Sequence, residues 1–474
     1  MSEHSVMSKL CFVTCNLFIF SFYLLSKHFI SSTGNQYFPE TELLYSNVSK
    51  RVFKPLNPRV TEENQHNVLL KKICPFHRVS YPVELEVKQN NALRVVDALI
   101  KRLQLIQTEI TDFPVEKIVP SPVKMGYRNK DDFTVYYGVD KNKPTVGYLT
   151  GTPSKSGCKA VRPTHLPHVK DSHKRLALLF EQYIHNSPHK VCYFFRDGGF
   201  WKRFTVRSNE AGELMVIVVT HPYSMTQEEL MAERTNLTNY FLSHEPNLIL
   251  YHQECERVDC SNDVNSYVQL AGKKSFLEEI MGGFKFRISP HSFFQINKKA
   301  AENMVLSILD DMEVTNETTF LDLFSGVGLY SILGSHRVNN SIGVEYLEQA
   351  VIDAKKNAEI NNITNCEFIA GRVEKRLHDL LTNQLASIEN LGMVTNPGRA
   401  GTTKKVAQMI RRDKRIKKLT YVSCKPDNPH TFNNFVQLCR RGTQVADPFK
   451  IKRIRLFDLF PRTAHYEMVL EFER

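Results

Sequence analysis

No two of the ten cysteines form a Cys-x-x-Cys pair, and the nearest neighbours are Cys11 with Cys15 and Cys255 with Cys260. Those spacings suit neither a zinc knuckle nor an iron–sulfur ligand set, so no metal centre is expected. Thiols spread this thinly over 474 residues fit a reduced, intracellular chain. Long apolar runs are missing too. The nearest is Leu10–Leu25, LCFVTCNLFIFSFYLL, which is short for a bilayer span and is interrupted by Thr14, Asn16 and Ser21. No small-residue cleavage site follows it cleanly, and the first arginine is Arg51, so signal and transit peptides both fit poorly. Any membrane association would run through this stretch alone, and composition leaves its role open. Internal repeats and low-complexity tracts are also absent.

Acidic residues are scarce at one end. From Arg399 to Arg474 there are 18 Lys/Arg against 7 Asp/Glu, whereas the rest of the chain is nearly neutral within a total of +12. A basic surface confined to one end points to a polyanion, nucleic acid first; solvated helix faces are the plain alternative. The length allows two or three domains and a sizeable core.

The pattern along the chain divides it at about residues 60 and 290. Residues 1–60 read as a leader or linker. Leu93, Val96, Leu99, Ile100 and Leu103 share one helical face within 91–106, which marks an ordered region. From Tyr127 to about Phe286, short strands such as FTVYYGV, TVGYLTG and ELMVIVVTHP are punctuated by glycine or Asn/Asp clusters, as in an antiparallel sheet. Residues 61–290 are thus a mainly antiparallel α+β region. From about 291 to 474 the rhythm is strand, helix, strand, helix. TTFLDLF, SIGVE, CEFIAG, LGMVTNP and KLTYVSC are the successive strands, and YEMVLEFE is the last. This predicts an α/β, doubly wound, mostly parallel sheet with ligands at the carboxyl ends of its strands.

Two glycines, Gly326 and Gly328, follow the first of these strands in LDLFSGVG, where the backbone can pass close to a ligand at a helix N-terminus. Glu345 ends the next strand, where a carboxylate can accept both hydroxyls of a ribose. A dinucleotide site has the same outline, but the third glycine is absent, and the looser turn suits an adenosine ligand without a pyrophosphate, such as S-adenosylmethionine. Later strands end at Asn396, in TNPGRAG, and at Cys424, in YVSCKP. Glu345, Asn396 and Cys424 therefore converge on one side of the sheet, which argues that Cys424 is more than a packed thiol.

Seven stretches occur in order: GYRNKDDF (126–133), SPHSFFQIN (289–297), LDLFSGVG (321–328), GVEYLEQAVIDAKKNA (343–358), NPGRAG (396–401), YVSCKP (421–426) and DLFPRTAHYEMV (458–469). Together they resemble the S-adenosylmethionine-dependent RNA (uracil-5-)-methyltransferases. The resemblance implies a class I methyltransferase domain over 291–474 and an RNA-recognition region before it. It makes Cys424 the nucleophile and Glu467 the base, and it puts Gln295, Phe324, Glu345 and Asn396 at the cofactor. The family's usual Asp-Pro-Pro-Arg stands here as Asn396-Pro397-Gly398-Arg399. That change removes a carboxylate and resembles the mitochondrial branch of the animal enzymes, so a mitochondrial location is expected.

The implied reaction is methylation of carbon 5 of a uridine, with the T-loop uridine (position 54) of tRNA as the expected target and mitochondrial rRNA as an alternative. A monomer with no metal is expected. Cys424 needs an electropositive surround, for which Lys425 and Arg399 are candidates, and His465 competes with Glu467 as base. Tyr127, Arg128, Lys130, Phe293 and Phe294 have the chemistry to contact RNA, although at least one of the two phenylalanines is expected in the core. A cytosine-5 enzyme is disfavoured because Asn396-Pro397-Gly398 has no cysteine. An RNA-binding chaperone that has lost catalysis is the rival that Asn396 motivates. A nicotinamide-dependent oxidoreductase would explain neither Cys424 nor Glu467.

Overall fold

Period-two burial organises the first sheet, as in β1 (Lys130–Tyr137), where Asp131, Phe133 and Val135 point inward. The computed structural model describes residues 59–474 apart from 141–142, 152–157, 193–198, 222–224, 257–265 and 443–445. The apolar stretch at 10–25 and most of the leader lie outside the described residues. No described helix is long and apolar enough to cross a membrane.

β2 (Pro144–Thr150), β3 (Lys159–Val161), β4 (Trp201–Ser208), β5 (Leu214–Thr220), β6 (Ile249–Glu254) and β7 (Tyr267–Ala271) join β1 in the order β3-β2-β1-β4-β5-β6-β7. Its pairs are antiparallel except β5–β6, which run parallel. The exception follows from the helix Gln227–His244, opened by a capping box between Thr226 and Glu229, which carries the chain back to the start of the sheet. The helix Asp171–His185 lays Leu176, Ala177, Phe180 and Ile184 on one face, in a core with Phe133, Phe204 and Val206. A hairpin, β8 (Leu277–Met281) with β9 (Phe284–Ile288), leads into the second half.

There β10 (Thr319–Leu323), β11 (Asn340–Glu345), β12 (Cys366–Ala370), β13 (Leu391–Thr395), β14 (Ile416–Ser423), β15 (Lys450–Phe457) and β16 (Glu467–Glu473) form a sheet ordered β12-β11-β10-β13-β14-β16-β15. The first five strands and β15 run in one direction, and β16, between β14 and β15, runs antiparallel to both. The chain winds outward from β10 through β11 to β12, then returns to β13 on the other side of β10. That reversal opens a crevice at the carboxyl ends of β10, β11 and β13.

The sequence reading passed over β15. Its parallel bridges at Val115–Ile454 and Val119–Phe457 shield the sheet's edge with residues 115–119. The helix begun in the sequence at 91 spans Tyr81–Leu105, with Pro82 in its first turn. Ala92, Val96, Leu99 and Leu103 share a core with Leu321, Ile342 and Val344 of the second sheet. Leu93, expected on the buried face, is 40% exposed, because the small Ala92 takes the close contact one residue away. The thiols are not uniformly reduced either. Cys255 is disulfide-bonded, while Cys74, Cys158, Cys192, Cys366, Cys424 and Cys439 form no disulfide.

Candidate active site

The glycine turn is built by backbone geometry. Phe324 takes a left-handed conformation (φ 65°), which turns its own N–H and that of Ser325 onto the carbonyl of Val344 at 2.9 and 3.1 Å. Gly326 and Gly328 follow with φ of 55° and 84°, and Gly328 caps the helix Leu329–Gly334. Glu345 Oε2 accepts the Gly326 N–H at 3.0 Å, and Oε1 accepts that of Leu347 at 2.9 Å, so one carboxylate fixes both the turn and the chain after β11. Asp322, a charge inside the apolar run TFLDLF, sits fully buried beneath the turn. Its Oδ2 accepts the N–H and hydroxyl of Ser331 at 3.2 and 3.1 Å, and burial pushes its pKa up to about 7. The sequence reading missed Asp322, although an acid in an otherwise apolar strand is a legible signal.

The SPHSFFQIN loop is anchored on both sides. Asn297 Nδ2 donates to Ser121 Oγ and to the carbonyl of Leu459, each at 3.0 Å, while Asn129 Nδ2 donates to the carbonyl of Gln295 at 2.8 Å. Gln295 is buried, and it is its backbone carbonyl that Asn129 holds. Ser289 and Ser292 both donate their hydroxyls to the buried Asp353. Phe294 lies in the core, whereas Phe293 is 64% exposed beside it. One of the expected RNA contacts is corrected here. Tyr127 is buried and donates to the carbonyl of Pro461 at 3.1 Å, so it holds the fold rather than facing solvent. Arg128 is partly exposed and is tied to the buried Asp131 at 2.5 Å. Lys130 pairs with Asp132 at 3.2 Å.

Cys424 and Glu467 come together through strand register. β14 and β16 pair antiparallel from Lys418–Glu473 to Ser423–Met468, which brings Cys424, just past the end of β14, toward Glu467 at the start of β16. Glu467 is buried, its Oε2 has no hydrogen-bond partner, and burial raises its pKa to about 8. Burial first, and the Glu467 charge second, push the Cys424 thiol up to about 11, against an opposing pull from Arg399. Of the expected electropositive surround, Arg399 is the cation whose charge acts most strongly on the thiol. The resting pair is a thiol beside a carboxylic acid near neutral pH. Asn396 follows β13 on the same side, its N–H on the carbonyl of Leu323 at 3.3 Å. His465 is exposed, and loss of hydration, then Arg399, Lys88 and Lys425, lower its pKa.

The tRNA (Uracil-5-)-methyltransferase family model matches residues 273–474. The "tRNA (uracil-5-)-methyltransferase homolog B" of Danio rerio is 38% identical over 436 residues, covering 89% of each chain. That of Homo sapiens is 34% identical over 420 residues, covering 85% of this chain and 83% of the relative. This chain belongs to the tRNA (uracil-5-)-methyltransferase family. It is an RNA (uracil-5-)-methyltransferase and uses S-adenosylmethionine. The crystal structure of Pyrococcus abyssi tRNA (uracil-54, C5)-methyltransferase in complex with S-adenosyl-L-homocysteine shares the fold, with a TM-score of 0.62 at 24% identity over 85% of this chain and 84% of that one.

Much of the methyltransferase's C-terminal basic charge is spent inside the fold. Arg453 pairs with Glu471 at 2.8 Å and Asp311 at 3.1 Å, Arg455 with Glu471 at 2.9 Å, and Lys418 with Glu313 at 2.7 Å. Arg474 Nε donates to the carbonyl of Ile416 at 3.0 Å. The exposed cations on the crevice side are fewer, among them Arg399, Lys404, Lys405 and Lys425.

The segment that carries Glu467 is held by a network the sequence did not reveal. Lys88, fully buried on the helix Tyr81–Leu105, contacts Glu84 and Asp458 at 2.8 Å each and donates to the carbonyl of Phe460 at 3.1 Å. Tyr81 donates to Asp458 at 2.8 Å, and Glu84 accepts the Arg462 N–H at 2.6 Å. Arg462 itself sits at φ 71°. Buried charges paired with one another in this way favour one conformation of residues 458–466.

Proposed function

We propose that the methyltransferase acts on the T-loop uridine (position 54) of tRNA, through a covalent bond between Cys424 and carbon 6 of the base, with Glu467 removing the carbon 5 proton. The observation that carries this reading is the β14–β16 pairing, which brings Cys424 toward the start of β16, where the charge of Glu467 acts on the thiol. Carbon 5 of uracil is a weak nucleophile. Addition of the Cys424 thiolate to carbon 6 gives an enolate, which makes carbon 5 nucleophilic. Arg399 favours that thiolate, since its charge is the one acting to lower the thiol's pKa. Glu467 then takes the carbon 5 proton, and the thiolate leaves as the double bond reforms.

The residues present fit S-adenosylmethionine. A Cβ on Gly326 would meet nothing within 4 Å, so the turn leaves open space there, and Glu345 retains acceptor capacity after its two backbone hydrogen bonds. Gln295, Phe324, Glu345 and Asn396 would hold the cofactor. Bound there, it supplies the methyl group as an electrophilic carbon on sulfonium sulfur.

The base must leave its stack to reach Cys424. Exposed Phe293 offers a stacking face, and Arg399, Lys404, Lys405 and Lys425 offer phosphate contacts. Residues 61–290 would present the RNA to the chemistry of 291–474. Unmodified tRNA and labelled cofactor should yield labelled 5-methyluridine at position 54. Cys424→Ala should abolish both methyl transfer and RNA capture. Glu467→Gln should stall after methyl transfer and leave a cofactor-dependent RNA–protein band on a denaturing gel. Free turnover by Glu467→Gln, with the band appearing in His465→Ala instead, would move the base to His465.

The asparagine at 396 also leads us to propose a mitochondrial location. A tagged full-length protein found only in the endoplasmic reticulum would overturn it. Sequencing RNAs after gene deletion would decide whether mitochondrial rRNA shares the activity.

A further inference from the structure

Side chains alternate across the first sheet, so β1 and β4 each show two faces. Phe133, Val135, Phe204 and Val206 turn toward the helix Asp171–His185 and share its core. The alternate residues form the other face in cross-strand pairs: Lys130 with Arg207, Asp132 with Thr205, and Thr134 with Arg203. Asp132 is exposed there, and Lys130, Thr134 and Arg203 are half-buried. An antiparallel sheet can leave one face to solvent in this way.

Charge on that face is unbalanced. Lys130 and Arg207 stand directly opposite each other, and like charges so placed repel. Asp132 is the one acid among the three pairs. It lies 3.2 Å from Lys130 and accepts the Thr205 hydroxyl at 2.6 Å. Arg207 is 3% exposed and donates to the carbonyl of Ser292, and none of the described ion pairs includes it. Its Nε finds no acceptor. Burial first, and Arg207 second, also lower the Lys130 pKa. A guanidinium buried without its anion is costly, and an anion arriving on this face would relieve it.

The face begins at the loop beside the catalytic crevice. Arg207 holds Ser292, whose neighbour is the exposed Phe293, and Asn129, just before Lys130, holds the carbonyl of Gln295 at 2.8 Å. From Lys130 to Thr134 the pairs run on for about 14 Å at about 3.4 Å per residue, long enough for more than one phosphate.

We propose that this face is a phosphate track: Lys130 and Arg203 contact the backbone of the tRNA strand that flanks the flipped uridine, and Arg207 beneath them supplies charge. The proposal rests on the tRNA reading above. RNA fits better than a protein partner, because the six side chains include no apolar group to form the core of a protein interface.

Binding of an unmodified tRNA transcript to the full chain, titrated from about 50 to 200 mM salt, tests the track. Lys130→Gln and Arg203→Gln should each bind more weakly. Each should also make the slope of log affinity against log salt shallower by about one. Thr134→Glu places an acid between them and should weaken binding in the same sense, which keeps the test available if the arginine variant folds poorly. Arg175→Gln, exposed on the helix that covers the opposite face, should keep the slope of the unaltered protein. Titration with S-adenosylmethionine checks that each variant is folded. Unaltered slopes in folded Lys130→Gln and Arg203→Gln, or an equal change in Arg175→Gln, overturn the proposal. Methylation of the same transcript by the unaltered protein separates the failures. If position 54 is labelled while the slopes stay put, only the track fails. If position 54 is not labelled, the reading above fails, and the slopes still decide the track.

Discussion

At the scale of single residues, the site stores its chemistry as buried acid. Glu467 has an ordinary value of 4.5 and is raised to about 8 by burial, so the folded state favours its neutral form. That preference stabilises the fold fully below pH 4.5 and is lost as pH rises through 8, where the buried carboxylate ionises. Glutamine at 467 has no charge to acquire. Glu467→Gln and the unaltered protein should therefore unfold alike near pH 4.5. The variant should become the more stable as pH rises toward 8, by an amount on the order of a few kcal/mol at about 1.4 kcal/mol per pKa unit. Denaturant unfolding across that range checks it, and a constant gap would show that Glu467 is not held neutral by the fold. Asp322, raised to about 7, should make the unaltered protein lose stability with rising pH in the same sense.

At the scale of elements, the strand–turn–helix unit from Thr319 to Gly334 separates stability from binding within three residues. A Cβ on Gly328 would stand 2.7 Å from the Phe368 ring at φ 84°, whereas one on Gly326 would meet open space at φ 55°. Gly328→Ala should combine left-handed backbone strain of about 1–2 kcal/mol with a clash against the core, and lower the melting temperature. Gly326→Ala carries the strain without the clash. It should stay folded and lose affinity for S-adenosylmethionine, because its methyl group fills the space the cofactor needs. Calorimetric titration beside thermal melts reads the two effects apart. Equal melting temperatures for the two variants would sink the distinction.

At the scale of the whole molecule, a helix that precedes both sheets is part of the chemistry's scaffold. Tyr81–Leu105 contributes Ala92, Val96, Leu99 and Leu103 to the core of the second sheet, and it brings Lys88 to the segment before Glu467. Lys88→Met would leave Glu84 and Asp458 as buried carboxylates without their cation. Removing one partner of such a network costs about 3–5 kcal/mol. The variant should unfold at lower denaturant and lose turnover, as residues 458–466 no longer hold Glu467 in place. An unchanged unfolding midpoint would show that the network does not fix this segment.

The sequence by itself determined the alternation of strands and helices after residue 291, the glycine turn, and the candidate residues Gln295, Phe324, Glu345, Asn396, Cys424 and Glu467. These are properties of local pattern and of ordered motifs, which need no knowledge of distant contacts. It also carried, unread, the charge of Asp322 inside an apolar strand and the alternation of β15. Only the tertiary structure decided that Cys424 is brought toward Glu467, since register between β14 and β16 is set by pairing across more than forty residues of chain. It alone decided that Tyr127 is a buried support, that Arg128 is tied to the buried Asp131, that β5 and β6 run parallel, and that most of the C-terminal arginines are paired internally. Each depends on which residues from elsewhere in the chain arrive beside them, and burial and charge pairing are properties of that arrival rather than of any single segment.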